Sequence, residues 1–150
     1  MFDRPFEDYT VGEVWMSRGR TITEADLVMF SAFSGDWYPL HTDKEWARKG
    51  PFGQRIAHGM LVLSVSTGLL TMKPGVVLAF YGIDRVRFVA PTYIGDTISV
   101  ELEVKGLSVK ERGGVVDTQL TVKKQTNEPV VVSTLRVLVA NKDTMNALSV

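Results

Sequence analysis

Two side chains able to exchange protons, Asp36 and His41, share the stretch Ser34-Gly35-Asp36-Trp37-Tyr38-Pro39-Leu40-His41. Gly59 follows in Arg55-Ile56-Ala57-His58-Gly59-Met60-Leu61. A carboxylate and an imidazole can take and return a proton, because imidazole ionises near neutral pH. A glycine that opens a helix leaves main-chain N–H groups without intrahelical acceptors, and these can stabilise an oxyanion. Those are the parts needed to add water to, or remove it from, an acyl thioester.

Spacing alone does not bring the pair together. Five extended residues span about 17 Å, so Trp37–Leu40 must fold back if both groups are to meet one substrate. Otherwise Asp36 is a turn carboxylate and His41 a loop histidine. Gly59 likewise has a plain alternative as a position of tight helix packing. His58 is expected to be structural, bonding to a neighbouring loop. With His41 and His58 the only histidines and no cysteine in the chain, a histidine-rich metal site is not expected.

The surrounding pattern supplies the elements. Thr23 can cap a helix with Glu24 and Asp26 in its first turn; Leu27, Phe30 and Ala32-Phe33 give it an apolar side, and Ser34-Gly35 stops it. Pro39 biases Tyr38 towards an extended conformation. Asp43 begins a short helix over Lys44–Lys49, ended by Gly50-Pro51. From Gly59 to about Met72 the residues are apolar on nearly every face, which predicts a helix enclosed by other structure.

After Gly75 the period changes to that of strands. Val76–Ala90, Asp96–Val109, Val115–Gln125 and Val130–Ala140 are rich in Val, Ile and Thr, with turn signals at Pro91, Gly95, Gly113-Gly114 and Asn127-Glu128-Pro129. A fifth strand is expected near Val11–Arg20. The economical packing is an α+β fold: an antiparallel sheet of about five strands wrapped around one long central helix, the hot-dog arrangement. Residues 1–150 read as one such domain. A sheet of this kind has an open edge that two subunits can hide by pairing, so a homodimer or higher homo-oligomer is expected.

Composition narrows the function classes. Seventeen Lys plus Arg balance seventeen Asp plus Glu, leaving no net field to hold a nucleic-acid backbone. The acidic, aromatic start MFDRPFEDYT is unlike a signal peptide, and the apolar run Met60–Val65 is far short of the roughly 20 residues of a membrane span. A cytoplasmic protein without disulfides is expected.

Ser34-Gly35-Asp36-x-x-Pro39-Leu40-His41 followed by Ile56-Ala57-His58-Gly59-Met60-Leu61 resembles the MaoC-type (R)-specific enoyl-CoA hydratase family. The resemblance extends through Ser66-Thr67-Gly68-Leu69-Leu70 and Arg87-Phe88-Val89-Ala90-Pro91 to Gly95-Asp96-Thr97, covering roughly Phe6 to Ala140. It implies a hot-dog dimer or larger assembly that interconverts trans-2-enoyl and (R)-3-hydroxyacyl thioesters of CoA, or of acyl-carrier protein, with no cofactor. It implies Asp36 and His41 as the catalytic pair and Gly59 as the amide that binds the thioester oxygen. Thr67 stands where some members place a serine near the pocket, although a helical threonine two turns along, about 12 Å from Gly59, more often bonds back to its own helix.

Tyr38 departs from the pattern, since many members carry Asn there, and this bears on the acyl pocket more than on the reaction. Trp37, Phe33 and Trp46 are candidates to line an acyl tunnel. Arg48, Lys49, Arg55, Arg85 and Arg87 are candidate contacts for a CoA nucleotide. Two rival readings stand beside the hydro-lyase. One is a hot-dog thioesterase, which attacks the carbonyl carbon instead of C3. The other is a non-catalytic acyl-thioester-binding subunit.

Overall fold

The computed structural model describes residues 1–148. After a 3-10 turn at Phe6–Asp8 come β1 (Val14–Met16), β2 (Arg20–Thr21), α1 (Glu24–Ser34), α2 (Pro39–Thr42), α3 (Lys44–Arg48) and α4 (Gly59–Gly68). Four long strands follow: β3 (Val77–Phe88), β4 (Thr97–Lys110), β5 (Gly113–Lys124) and β6 (Pro129–Ala140). A last helix, α5, spans Lys142–Leu148. All strand pairings are antiparallel, in the order β1-β4-β5-β6-β3, with β2 also on β4. This is the hot-dog arrangement read from the sequence.

Alternation explains the sheet. Ile98, Val100, Leu102 and Val104 on β4 face one side with no exposure at all, as do Val116, Leu120 and Val122 on β5 and Leu135, Val137 and Val139 on β6. Fully burying one such side chain contributes about 1.5–3 kcal/mol. Thr118 lies on the same dry face, and its hydroxyl donates to the Leu135 carbonyl at 3.0 Å, so it adds no unpaired polar group. Leu61, Val62 and Leu63 of α4 belong to this core, and α4 touches β4 and β6.

Four expectations need correction. The central helix ends at Gly68 and not near Met72, because Thr71 and Lys73 are drawn out to bond the main chain of Phe2 (2.9 Å each). It also has a wet stripe: Met60, Ser64 and Gly68, four residues apart, are exposed. The fifth strand is two short ones, so the sheet has six strands. The break falls at Ser17, whose hydroxyl takes the Val100 N–H at 2.8 Å. Gly113-Gly114 begins β5, and the hairpin turn before it falls on Glu111-Arg112. On β3 the pairing with β6 slips in register between Asp84 and Arg87, with Arg85 at φ 53°.

Candidate active site

The site is built where α1 ends. Thr23 caps α1 through a reciprocal capping box with Asp26, and Gly35 closes it in the left-handed region at φ 77°, donating to the Ser31 carbonyl at 2.9 Å. The chain then reverses. Asp36 N–H donates to the Ser34 hydroxyl at 3.2 Å, and the Asp36 carboxylate accepts the Tyr38 N–H at 3.2 Å, an Asx turn that folds the loop back. Pro39 sits at the first position of α2, where its missing N–H is no loss and its φ suits a helix. That single turn carries His41 back towards Asp36.

The His41 ring is oriented from behind. Its Nδ1 lies 2.8 Å from the Ile56 carbonyl, an oxygen that can only accept, so Nδ1 carries a hydrogen and in the neutral ring the lone pair is on Nε2. Ile56 is itself fixed by a bridge to Tyr93, and Ala57 N–H donates to Thr92 O at 2.8 Å. A neutral imidazole with a free Nε2 is the form a general base requires.

His58 stands immediately before α4 and is 2% exposed. Its Nε2 lies 3.1 Å from the main-chain oxygen of Asp36 and 3.2 Å from the Ser31 hydroxyl. Its ring stacks on that of His41 with centroids 3.9 Å apart, and the Phe30 ring covers it at 4.9 Å. Burial is the main cause that holds its pKa below the ordinary histidine value, with the neighbouring His41 adding to it.

A carboxylate oxygen of Asp36 and ring nitrogens of His41 and His58 all lie within 4.8 Å of one another. A metal ion would need the two imidazole lone pairs to converge on it. The rings are instead stacked with only 27° between their planes, so their in-plane lone pairs run side by side. The Asp36 carboxylate and His41 are close enough to share one water.

These groups open into a cavity of about 250 Å³. Asp36, His41 and Gly59 line one side, and Val62, Ala90 and Val131 are among its apolar wall. Gly59 is the first residue of α4, and among the described residues its N–H donates to no main-chain acceptor. A Cβ there would lie 2.7 Å from the Phe88 ring, so a side chain at this position would require that ring to move.

Other expected residues fall elsewhere. Thr67 does not line the cavity, and its hydroxyl donates to the Ser64 carbonyl at 2.7 Å. Phe33 is 90% exposed, and Trp37, Tyr38 and Trp46 stand outside the cavity wall, with Tyr38 edge-on to both His41 and Trp46. Arg55 is paired with Glu24 at 2.7 Å and Arg48 with Glu45 at 3.0 Å. Sequence reasoning missed α2, for which Pro39 ahead of Leu40-His41 was the available signal. The expectation that His58 bonds a neighbouring loop holds, while its stack on the His41 ring has no local signal.

Residues 8–127 match the family model of the MaoC like domain. Over 114 residues the chain is 40% identical to Protein MaoC of Klebsiella aerogenes; the match covers 74% of this chain and 33% of that protein, so the chain spans about a third of that relative. It is 36% identical over 118 residues to the (R)-specific enoyl-CoA hydratase of Rhodospirillum rubrum, covering 78% of this chain and 81% of that one. The solved structure of a monoamine oxidase regulatory protein from Archaeoglobus fulgidus superposes with a TM-score of 0.87 at 39% identity, over 93% of this chain and 96% of that chain. With four-fifths of its length matched by one model and its sheet and site loop in place, the chain belongs to the MaoC-like hydratase and dehydratase family.

Proposed function

We propose that the protein is a hydro-lyase that interconverts trans-2-enoyl and (R)-3-hydroxyacyl thioesters. The observation that carries this reading is the meeting of Asp36, His41 and the Gly59 amide on one apolar-walled cavity. Asp36 and His41 Nε2 hold a water between them. In hydration the water oxygen bonds to C3, the C2–C3 π bond breaks, and the displaced proton is returned to C2 from the same pair. Negative charge grows on the thioester oxygen as this happens, and the Gly59 N–H meets it at the helix N-terminus, an effect often worth about 2.7–4 kcal/mol per donor. Dehydration runs the same steps backwards.

The relatives support the substrate class. Rhodospirillum rubrum supplies an enoyl-CoA hydratase, and a mitochondrial relative in Arabidopsis thaliana is named a 3-hydroxyacyl-[acyl-carrier-protein] dehydratase. No helix among the described residues is long and apolar enough to cross a membrane. A second copy of the chain is the partner we assign to the open β3 edge, where Phe80, Tyr81 and Phe88 are about half exposed; a light-scattering mass of one chain at micromolar concentration would remove that assignment.

The deciding experiment is a panel of short, medium and long trans-2-enoyl-CoAs, following loss of the conjugated-thioester absorbance and the configuration of the product. Turnover to the (R)-alcohol is expected. Release of free thiol from saturated acyl-CoA, without hydration of any enoyl-CoA, would replace this reading with a thioesterase.

A further inference from the structure

The proposed chemistry uses Asp36, His41 and Gly59, yet the most deeply buried polar side chain lining the cavity is His58, which that chemistry leaves idle. Its Nε2 faces the main-chain oxygen of Asp36, which can only accept, so Nε2 carries the ring hydrogen. Nδ1 is then the lone-pair nitrogen, and it is buried with no hydrogen-bond partner among the described residues. Leaving a buried acceptor unpaired carries the full penalty of removing it from water. A residue kept only to fill space would not require that cost, so the ring's two productive contacts are where to look for a reason.

One contact ties the peptide of Asp36 to the residue that precedes α4; the other lays an aromatic face against the His41 ring at 3.9 Å. His58 thus touches both proton-exchanging residues from behind, one through its edge and one through its face. We infer that His58 is a positioning residue that holds Asp36 and His41 in one mutual geometry and keeps His41 in the form with Nε2 free. The reason for histidine follows from the two demands. A donor at the ring edge and a flat face are both required, and protonation must be unfavourable, because a cation on His58 would sit directly on the His41 ring and oppose its taking a proton. The groups facing His58 are the Phe30 ring and Ser31 hydroxyl from α1, Asp36 from the loop and His41 from α2, and only Asp36 favours the charged form.

Two substitutions separate the two contacts. His58→Gln keeps an N–H for the Asp36 carbonyl and removes the face; His58→Phe keeps the face and removes the donor. Misplacing a reacting group by about 1 Å can cost about a hundredfold, so each variant is expected to lower kcat by about tenfold or more with KM little changed. The inference rests on the proposed hydratase reading for its kinetic arm only. Because the chain has two histidines, nitrogen-detected NMR of the unaltered protein can assign both rings without turnover. It should show His58 neutral with the hydrogen on Nε2, and His41 with its hydrogen on Nδ1. In His58→Gln the His41 ring should become a mixture of tautomers.

A hydrogen on Nδ1 of His58 in the unaltered protein would overturn the inference even if every variant failed to fold. Variants with wild-type kcat, or with losses confined to KM and an unchanged His41 ring, would overturn it as well. Absence of turnover with every enoyl thioester would sink the hydratase reading and leave the NMR test standing.

Discussion

Leu102, Leu120 and Leu135 have no exposed surface on three neighbouring strands, whereas Asp36 is exposed and His41 half-buried on a segment of loop and short helix. The sheet is held by apolar area and by continuous ladders from β4 through β6. The 35–59 segment is held by single polar contacts: Asp36 to the Tyr38 N–H, His41 to the Ile56 carbonyl, His58 to the Asp36 carbonyl. A ladder survives the loss of one member because its neighbours keep the register. A chain of single contacts does not, and each of these positions a reacting group. Stability and chemistry are therefore stored in different places, and substitutions can tell them apart.

The sharpest break in this division is at the pair itself. Asp36→Asn and His41→Gln preserve shape and remove the ability to exchange a proton, so each is expected to lower hydratase turnover by about 10²–10⁴-fold. Melting temperature should barely move, since neither residue belongs to the core cluster. Turnover within a few-fold of wild type in either variant would remove the proposed pair.

The opposite result is expected from the sheet. Leu120→Ala deletes buried methyl groups between β4 and β6 and should cost about 2–5 kcal/mol in denaturant unfolding. Turnover per folded molecule should be retained at temperatures well below the new midpoint. A large loss of turnover with little loss of stability would mean that the sheet transmits strain into the site, and the separation of roles would fail.

How much of this was legible follows the same divide. Richness in Val, Ile and Thr marked all four long strands to within a few residues, and on β4, β5 and β6 a dry face writes its burial directly into the sequence. Thr23 marked the start of α1 for an equally local reason: its hydroxyl accepts the N–H of Asp26 only three residues on. The splitting of the fifth strand was hidden, since it depends on Ser17 reaching Val100 across the sheet. At the site, residue types and a family resemblance named Asp36, His41 and Gly59. The fold-back itself was half-visible, as Pro39 is both a bias on Tyr38 and a helix first residue. That His58 bonds a neighbouring loop was legible, but not which oxygen it reaches, because the contact joins residues 22 positions apart through a main-chain oxygen of no particular residue type. Thr67 was misleading for the converse reason, since similarity of position says nothing about which way a hydroxyl turns.

The smallest effect probes the far end of the helix that leads into the site. Asp26 closes the cap of α1, accepting from the N–H and hydroxyl of Thr23 and from Arg20. Partial burial raises its pKa, but the bonds from Thr23 and Arg20 lower it further, so the carboxyl lies below its ordinary 3.8. The folded protein then releases this proton more readily than the unfolded chain. Its contribution to stability is fully present above the unfolded value and is lost as pH falls through the depressed native one. Asp26→Asn should therefore be less stable than wild type by roughly 1 kcal/mol at neutral pH. The gap should hold while the pH stays above the ordinary carboxylate value and narrow as the pH falls through the depressed native one. A gap that stays constant into strong acid would mean that the cap works through shape and not through charge. Turnover at neutral pH should change by less than about twofold, because effects at well-separated positions add independently. A larger loss would show that α1 carries disorder from its first turn to the Asp36 loop at its last, and that the site depends on the whole helix and not on its local contacts alone.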